Sequence, residues 1–155
     1  MHIELQQAMQ QLVSAQTLTL KEVSRFTPVD FRHGVQWLVA QEQPALAQAL
    51  AEAGLALFPQ SEDILAIAGL LAMTREDWLL AIELLQDLVT LQQDRVQPMT
   101  CQMLARALAC NLDIAEAHQV LDQALKLWPN DPTLEQEKSA MTLAQDVMSA
   151  PAQSN

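Results

Sequence analysis

The sequence predicts an all-α chain, and three observations carry that expectation. Gly occurs only three times in 155 residues, Tyr is absent, and aromatics make up 4 %, whereas strands draw on aromatic and β-branched residues. The chain is rich instead in Leu, Ala, Gln and Glu, which are good helix formers. Its segments also repeat one another, with helix-start residues falling in phase. Half of the residues are hydrophobic, which supplies a domain-sized core and argues against disorder.

Residues 28–59 and 98–129 align at an offset of 70 residues. Both segments open and close with Pro. Leu38 matches Leu108, Ala45 matches Ala115, Ala47 matches Ala117, Leu55 matches Leu125, and Leu57 matches Leu127. Phe58 and Trp128 each stand just before the closing Pro. An offset of 70 is close to two periods of about 34 residues, so a third unit is expected between the two. Residues 62–93 read as that unit, a helix, a break and a helix.

The elements follow in order. Residues 3–16 hold Leu5, Met9, Leu12 and Val13 at helical spacing, and Thr19-Leu20-Lys21-Glu22 is a capping box before a short helix with Val23 and Phe26. Together they make residues 1–27 an N-terminal helical segment. Thr27-Pro28 supplies an N-cap and a Pro at the first helical position, with Asp30 in the first turn. Pro44 opens the second helix of the first unit. Thr74, with Asp77 three residues on, is expected to cap the second helix of the second unit. Asn111 is expected to take the left-handed end of the helix before it, and Asp113 with Glu116 to cap the helix after it. Asp131-Pro132 starts a last helix running to about Met148. It carries Leu134, Met141, Leu143 and Val147 among Glu, Lys and Gln, one face for the core and one for water. The organisation is therefore three repeats over 28–130 (28–59, 62–93, 98–129), a capping helix over 131–149 and a polar tail over 150–155.

Charge and motifs narrow the function. Nineteen acids against eight bases give a net charge of −11, which excludes nucleic acid as a partner and disfavours anionic membrane surfaces. The longest apolar run, residues 64–73, is too short for stable membrane insertion. Met1-His2-Ile3-Glu4 lacks the basic and apolar regions of a cleaved signal, so the expected location is cytoplasmic. Cys101 and Cys110 lie on opposite faces of one helix and are read as buried, unbridged thiols. His2, His33 and His118 are far apart, and no His-x-x-x-His, Cys-x-x-Cys or Gly-rich phosphate loop occurs. No catalytic residue, metal or cofactor is expected, and the chain reads as a non-enzyme.

The repeat pattern resembles the tetratricopeptide repeat. That family places large residues at repeat positions 4, 7 and 11, small ones at 8, 20 and 27, an aromatic or Leu at 24 and Pro at 32. The third unit follows it with Leu104, Ala105, Leu108, Ala117, Leu121, Ala124 and Pro129. The second carries Leu65, Ala68, Gly69, Ala72, Ala81, Leu85 and Leu88, with Gln93 in place of Pro. The first carries Phe31, Leu38, Ala47, Gly54 and Pro59, with Gly34 where Leu is usual. The resemblance implies a right-handed superhelix whose first helices line a concave groove. It assigns partner contacts to Arg32, Gln36 and Val39 in unit one, Ala66, Leu70 and Met73 in unit two, and Met99, Gln102, Arg106 and Ala109 in unit three. Val29, Ala40, Asp63, Thr74 and Cys110 share that phase. Such a groove suits an extended or helical apolar segment of another protein.

Within that family the layout is similar to the class II chaperones of bacterial type III secretion, which are acidic chains of this size with helices before and after three repeats. Residues 16–30, Gln97-Pro98 and the stretch 110–117 carry that likeness. The chain departs from it in having no Tyr, few Phe, and Glu42 where Gly is usual at the break inside unit one. The resemblance implies a cytoplasmic chaperone for a secreted translocator client. The rival expectation is a structural scaffold subunit, with the N-terminal helix as a homodimer contact.

Overall fold

A computed structural model describes residues 25–149 together with Gln7. The expected N-terminal helix, its dimer contact, the capping box at 19–22 and the tail over 150–155 lie outside the described residues. Every regular element among the described residues is helical. They are α1 (Pro28–Ala40), α2 (Pro44–Leu57), α3 (Glu62–Thr74), α4 (Trp78–Gln92), a 3-10 turn (Gln93–Arg95), α5 (Pro98–Cys110), α6 (Ile114–Leu127) and α7 (Pro132–Ser149). The chain divides into two compact units, Met1–Arg75 and Glu76–Asn155. The first contains α1–α3 and the second α4–α7.

In the first unit α1 packs on α2, and α3 packs on both. The start of α1 is fixed by a reciprocal box. The Thr27 amide donates to Asp30 Oδ2 at 2.9 Å, and the Asp30 amide donates to Thr27 Oγ1 at 3.3 Å, so donors that a helix start leaves unpaired are satisfied. Asp30 is buried because it does this work. The core is aromatic at one end: Phe31 meets Phe26 edge-on at 6.4 Å and Phe58 at 6.0 Å. Gly54 of α2 lies against this cluster. A Cβ there would stand 3.0 Å from Ile64 Cδ1 and 3.2 Å from Phe31 Cδ1, so Gly lets α2 approach α1 and α3.

In the second unit α5 packs on α4 and α6, and α7 packs on α5 and α6. Asp131 Oδ1 accepts from the Leu134 amide at 3.0 Å and starts α7. Leu134 and Met141 are buried, while Glu135, Ser139 and Thr142 are exposed. One face of α7 thus packs into this unit's core.

Residues at repeat positions 4, 7, 8, 11, 20, 24 and 27 are buried in all three repeats, from Phe31, Val35, Leu38 and Ala47 to Leu104, Leu108, Ala117, Leu121 and Ala124, while Pro59, Gln93 and Pro129 at position 32 are exposed. Three local expectations are corrected. Thr74 does not cap α4; its hydroxyl donates to the Leu71 carbonyl at 2.7 Å, and Asp77 Oδ1 accepts from the Leu80 amide at 3.4 Å. Asp113 stands at the N-cap of α6 without a side-chain cap bond, because Asn111 Nδ2 donates to its carboxylate at 2.8 Å. The left-handed residue is Leu112, with φ 69°, one place after Asn111. Glu42 and Glu76 take the same conformation at the corresponding breaks, with φ 56° and 59°.

Those turns generate a prediction. A side chain with a Cβ pays about 1–2 kcal/mol in the left-handed region, and Leu112 is exposed, so it recovers little by packing. Leu112→Gly is expected to raise the melting temperature, with a gain of about 0.5–1 kcal/mol after the larger unfolded-state entropy of Gly is counted. A lower melting temperature would show that the Leu112 side chain packs usefully in the native state.

Candidate functional site

In the first unit α1 and α3 run in the same direction, since Arg32 pairs with Asp63 near their starts and Val35 and Val39 face Ile67, Leu71 and Thr74 further on. Between them lies a pocket of about 170 Å³. Val35, Ile67 and Leu71 are buried and form its floor. Val39 and Leu70, 51 % and 46 % exposed, flank it, and Gln36 and Thr74 complete the rim. Exposed Val and Leu beside a buried apolar floor form a seat for an apolar side chain. The seat is smaller than the roughly 300–1,000 Å³ of pockets that bury drug-sized ligands.

The sequence-assigned residues of this unit divide around the pocket. Gln36, Val39 and Leu70 line it. Arg32 lies at its start, with the guanidinium held by Asp63. Ala66 and Met73 are half-buried on α3 and do not line it. The floor residues Val35, Ile67 and Leu71 were not assigned from the sequence. Val35 holds a position reserved for packing, and the other two lie between the groove positions of α3. The signal that could have found them is the unbroken apolar run over 64–73, which covers more of α3 than one core-facing stripe needs.

In the second unit the assigned residues lie on α5. Met99 is 68 % exposed and Ala109 is half-buried. Gln102 and Arg106 are occupied: Arg106 Nε and Nη2 donate to the Glu137 carboxylate of α7 at 3.1 and 2.8 Å, and Gln102 Nε2 donates to it at 3.3 Å. The hydrogen bond from Arg106 holds the Glu137 carboxyl below its ordinary range, with a smaller contribution from Gln102, and the same bond raises Arg106. Arg106 and Glu137 are 31 residues apart, as are Arg32 and Asp63, so each pair joins the first helix of a repeat to the helix one period later. By that phase α7 also presents Ala140, Leu143 and Ala144 at groove positions, and all three are exposed. The sequence alone marks α7 only as a capping helix.

The remaining reactive side chains are dispersed. Cys101 is buried, and burial pushes its thiol up. Cys110 is exposed, which corrects the expectation of two buried thiols; nine residues along α5 turn it to the opposite face. His33 is exposed, and the His118 ring Nε2 lies 3.1 Å from Gln145 Oε1. Among the described residues no group of three or more His, Cys, Asp or Glu could hold a metal ion, and no helix is long and apolar enough to cross a membrane.

The Glu137 pair predicts a pH dependence. Its folded value lies below the ordinary 4.5, so its stabilisation is complete above the unfolded value and is lost as pH falls through the folded one. Glu137→Gln is expected to cost about 0.5–1 kcal/mol at pH 7, the usual range for a partly exposed pair. The difference from wild type should shrink toward zero well below pH 4.5. Melting curves across that range test this, and a difference independent of pH would remove the ion pair as its cause.

No protein-family model and no curated protein matches the chain. Among solved structures, a single-site mutant of MamA, a protein of tetratricopeptide-like fold, superposes with a TM-score of 0.64 at 17 % sequence identity, covering 97 % of this chain and 92 % of that chain. That likeness concerns the fold: the chain has an all-helical architecture of the tetratricopeptide type.

Proposed function

We propose that the chain is a non-catalytic protein-binding module that seats apolar side chains of a partner segment, and that it serves in the cytoplasm as a chaperone for a type III secretion translocator client. The observation that carries the binding role is the pair Val39 and Leu70, both about half exposed beside the buried floor of Val35, Ile67 and Leu71. Leaving two large apolar residues half wet forgoes burial worth about 25 cal/mol per Å², and a partner's side chain would recover it. The tetratricopeptide-type fold supports the same role, and the layout of helices around three repeats supports the chaperone assignment. The charge of −11 would keep a complex with an apolar client dispersed.

A permanent scaffold subunit is the second reading. It is favoured by Leu143 and Val147 on α7, which are 67 % and 69 % exposed and one helical turn apart. Under that reading the chain joins an assembly through its last helix rather than through the α1–α3 pocket.

Leu70→Glu separates the two. It places a charge where a docked apolar side chain would exclude water. The free protein is expected to melt within a few degrees of wild type, because Leu70 is 46 % exposed. Binding to the partner that co-purifies with the wild type is expected to fall by about tenfold or more, or about 1.4 kcal/mol. A folded variant that binds normally would move the partner to another surface. A normal affinity in Leu70→Glu with a loss in Leu143→Glu would favour the scaffold.

A further inference from the structure

We propose that the chain supplies its own occupant for the α1–α3 pocket: residues 3–16 lie over it and seat Leu5, Met9 and Leu12 against Val39 and Leu70. The inference rests on the reading of that pocket as an apolar seat, and it adds that a partner must displace the segment to enter. The chemistry of the two surfaces matches. No residue lining the pocket carries a charge, although the chain as a whole stands at −11. Residues 5–20 are the longest stretch of the chain without a charged side chain, and all nineteen acids and eight bases lie outside it. A charge over an apolar floor is costly to desolvate, and this segment brings none. Its apolar residues at positions 5, 9 and 12 share one side of a helix. Gln7, the only residue before Arg25 that the structure describes, is helical and exposed. At 3.6 residues per turn it stands about 140–160° from each of those three positions. A helix with Gln7 in water therefore carries its apolar stripe on the side turned from water.

The tether makes the contact local. Phe26 is buried and meets Phe31 edge-on at 6.4 Å, and the Thr27–Asp30 box fixes the start of α1 just after it. The segment is thus anchored at the end of α1 where the helix begins. Val35 and Val39 lie about 10–17 Å along α1 from Pro28, at 1.5 Å per residue. The chain from residue 16 to residue 25 spans up to about 30 Å when extended, so residues 3–16 reach the pocket. A short tether holds its segment at an effective concentration in roughly the millimolar range. Even a weak contact is then populated ahead of a dilute partner.

The test uses the full chain. A nitroxide is attached at Gln11→Cys, one turn from Gln7 on the same side, in a Cys110→Ser background that leaves only the buried Cys101 as a second thiol. The NMR methyl signals of Val39 and Leu70 are expected to broaden, and Leu12→Glu is expected to remove the broadening. No broadening is expected when nitroxide and isotope label sit on different molecules. A synthetic peptide of residues 3–16 is expected to shift the same methyls saturably in Leu12→Glu. It should bind the wild type about threefold or more weakly, because the tethered copy holds the site. The proposal is overturned if the two methyls stay sharp, if Leu12→Glu leaves them broadened, or if the peptide binds both chains equally. Broadening only between molecules also overturns it and gives the pocket to a second copy. Failure of the partner-binding role looks different: Leu70→Glu would keep its partner while Val39 is still broadened in the chain with Leu70 intact, so the segment would hold the pocket and the partner would bind elsewhere.

Discussion

The close approach of paired helices, made possible by a small residue at one repeated position, is the constraint on which the rest of this structure depends. Ala47 on α2 and Ala117 on α6 are both 0 % exposed, each on a second helix packed against its first. Interior packing leaves few gaps, so a larger side chain at either place would push the two helices apart. Gly54 applies the same constraint at the far end of α2, where a Cβ would press on Ile64 and Phe31. With helices this close, Leu121 and Leu134 are completely enclosed.

The site follows from that packing. The second helix of a repeat covers one face of the first, and α3 covers a neighbouring face of α1. What α1 and α3 have left over is the face bearing Val39 and Leu70. In the second unit the corresponding first helix, α5, meets α7 through Arg106, Gln102 and Glu137. Two faces in the same repeat phase therefore differ in where their charges sit. Both carry an ion pair between helices: Arg32–Asp63 lies at the start of α1 and leaves Val39 and Leu70 beside an apolar pocket, whereas Arg106–Glu137 lies one turn further along its face.

Much of the fold was legible because its signals are local or periodic. Thr27-Pro28, Pro44, Pro98 and Asp131-Pro132 mark helix starts by chemistry confined to a few residues, and those helices begin where the residues stand. The breaks between paired helices were less legible. Intrinsic preference points to Asn111 for the left-handed role, but the turn places Leu112 there, with φ 69°. The candidate site was legible only as a phase. Gln36, Val39 and Leu70 stand at positions that recur with the repeat, and all three line the α1–α3 pocket. Val35, Ile67 and Leu71 were missed because a pocket floor is buried like any core residue until the surface above it is seen. The fates of Arg32 and Arg106 were illegible for a related reason: their partners are 31 residues away, beyond any local rule.

The most direct test of this account is the thermal stability of Ala47→Leu and Ala117→Leu measured beside Ala115→Leu. Ala47 and Ala117 are buried at the repeated contact, and Ala115 is exposed on the same helix as Ala117. Overpacking a close contact typically costs about 1–3 kcal/mol. The account predicts losses of that size at positions 47 and 117 and almost no change at 115. Equal and small effects at all three would contradict it, because the helices would then be held apart by something other than these alanines.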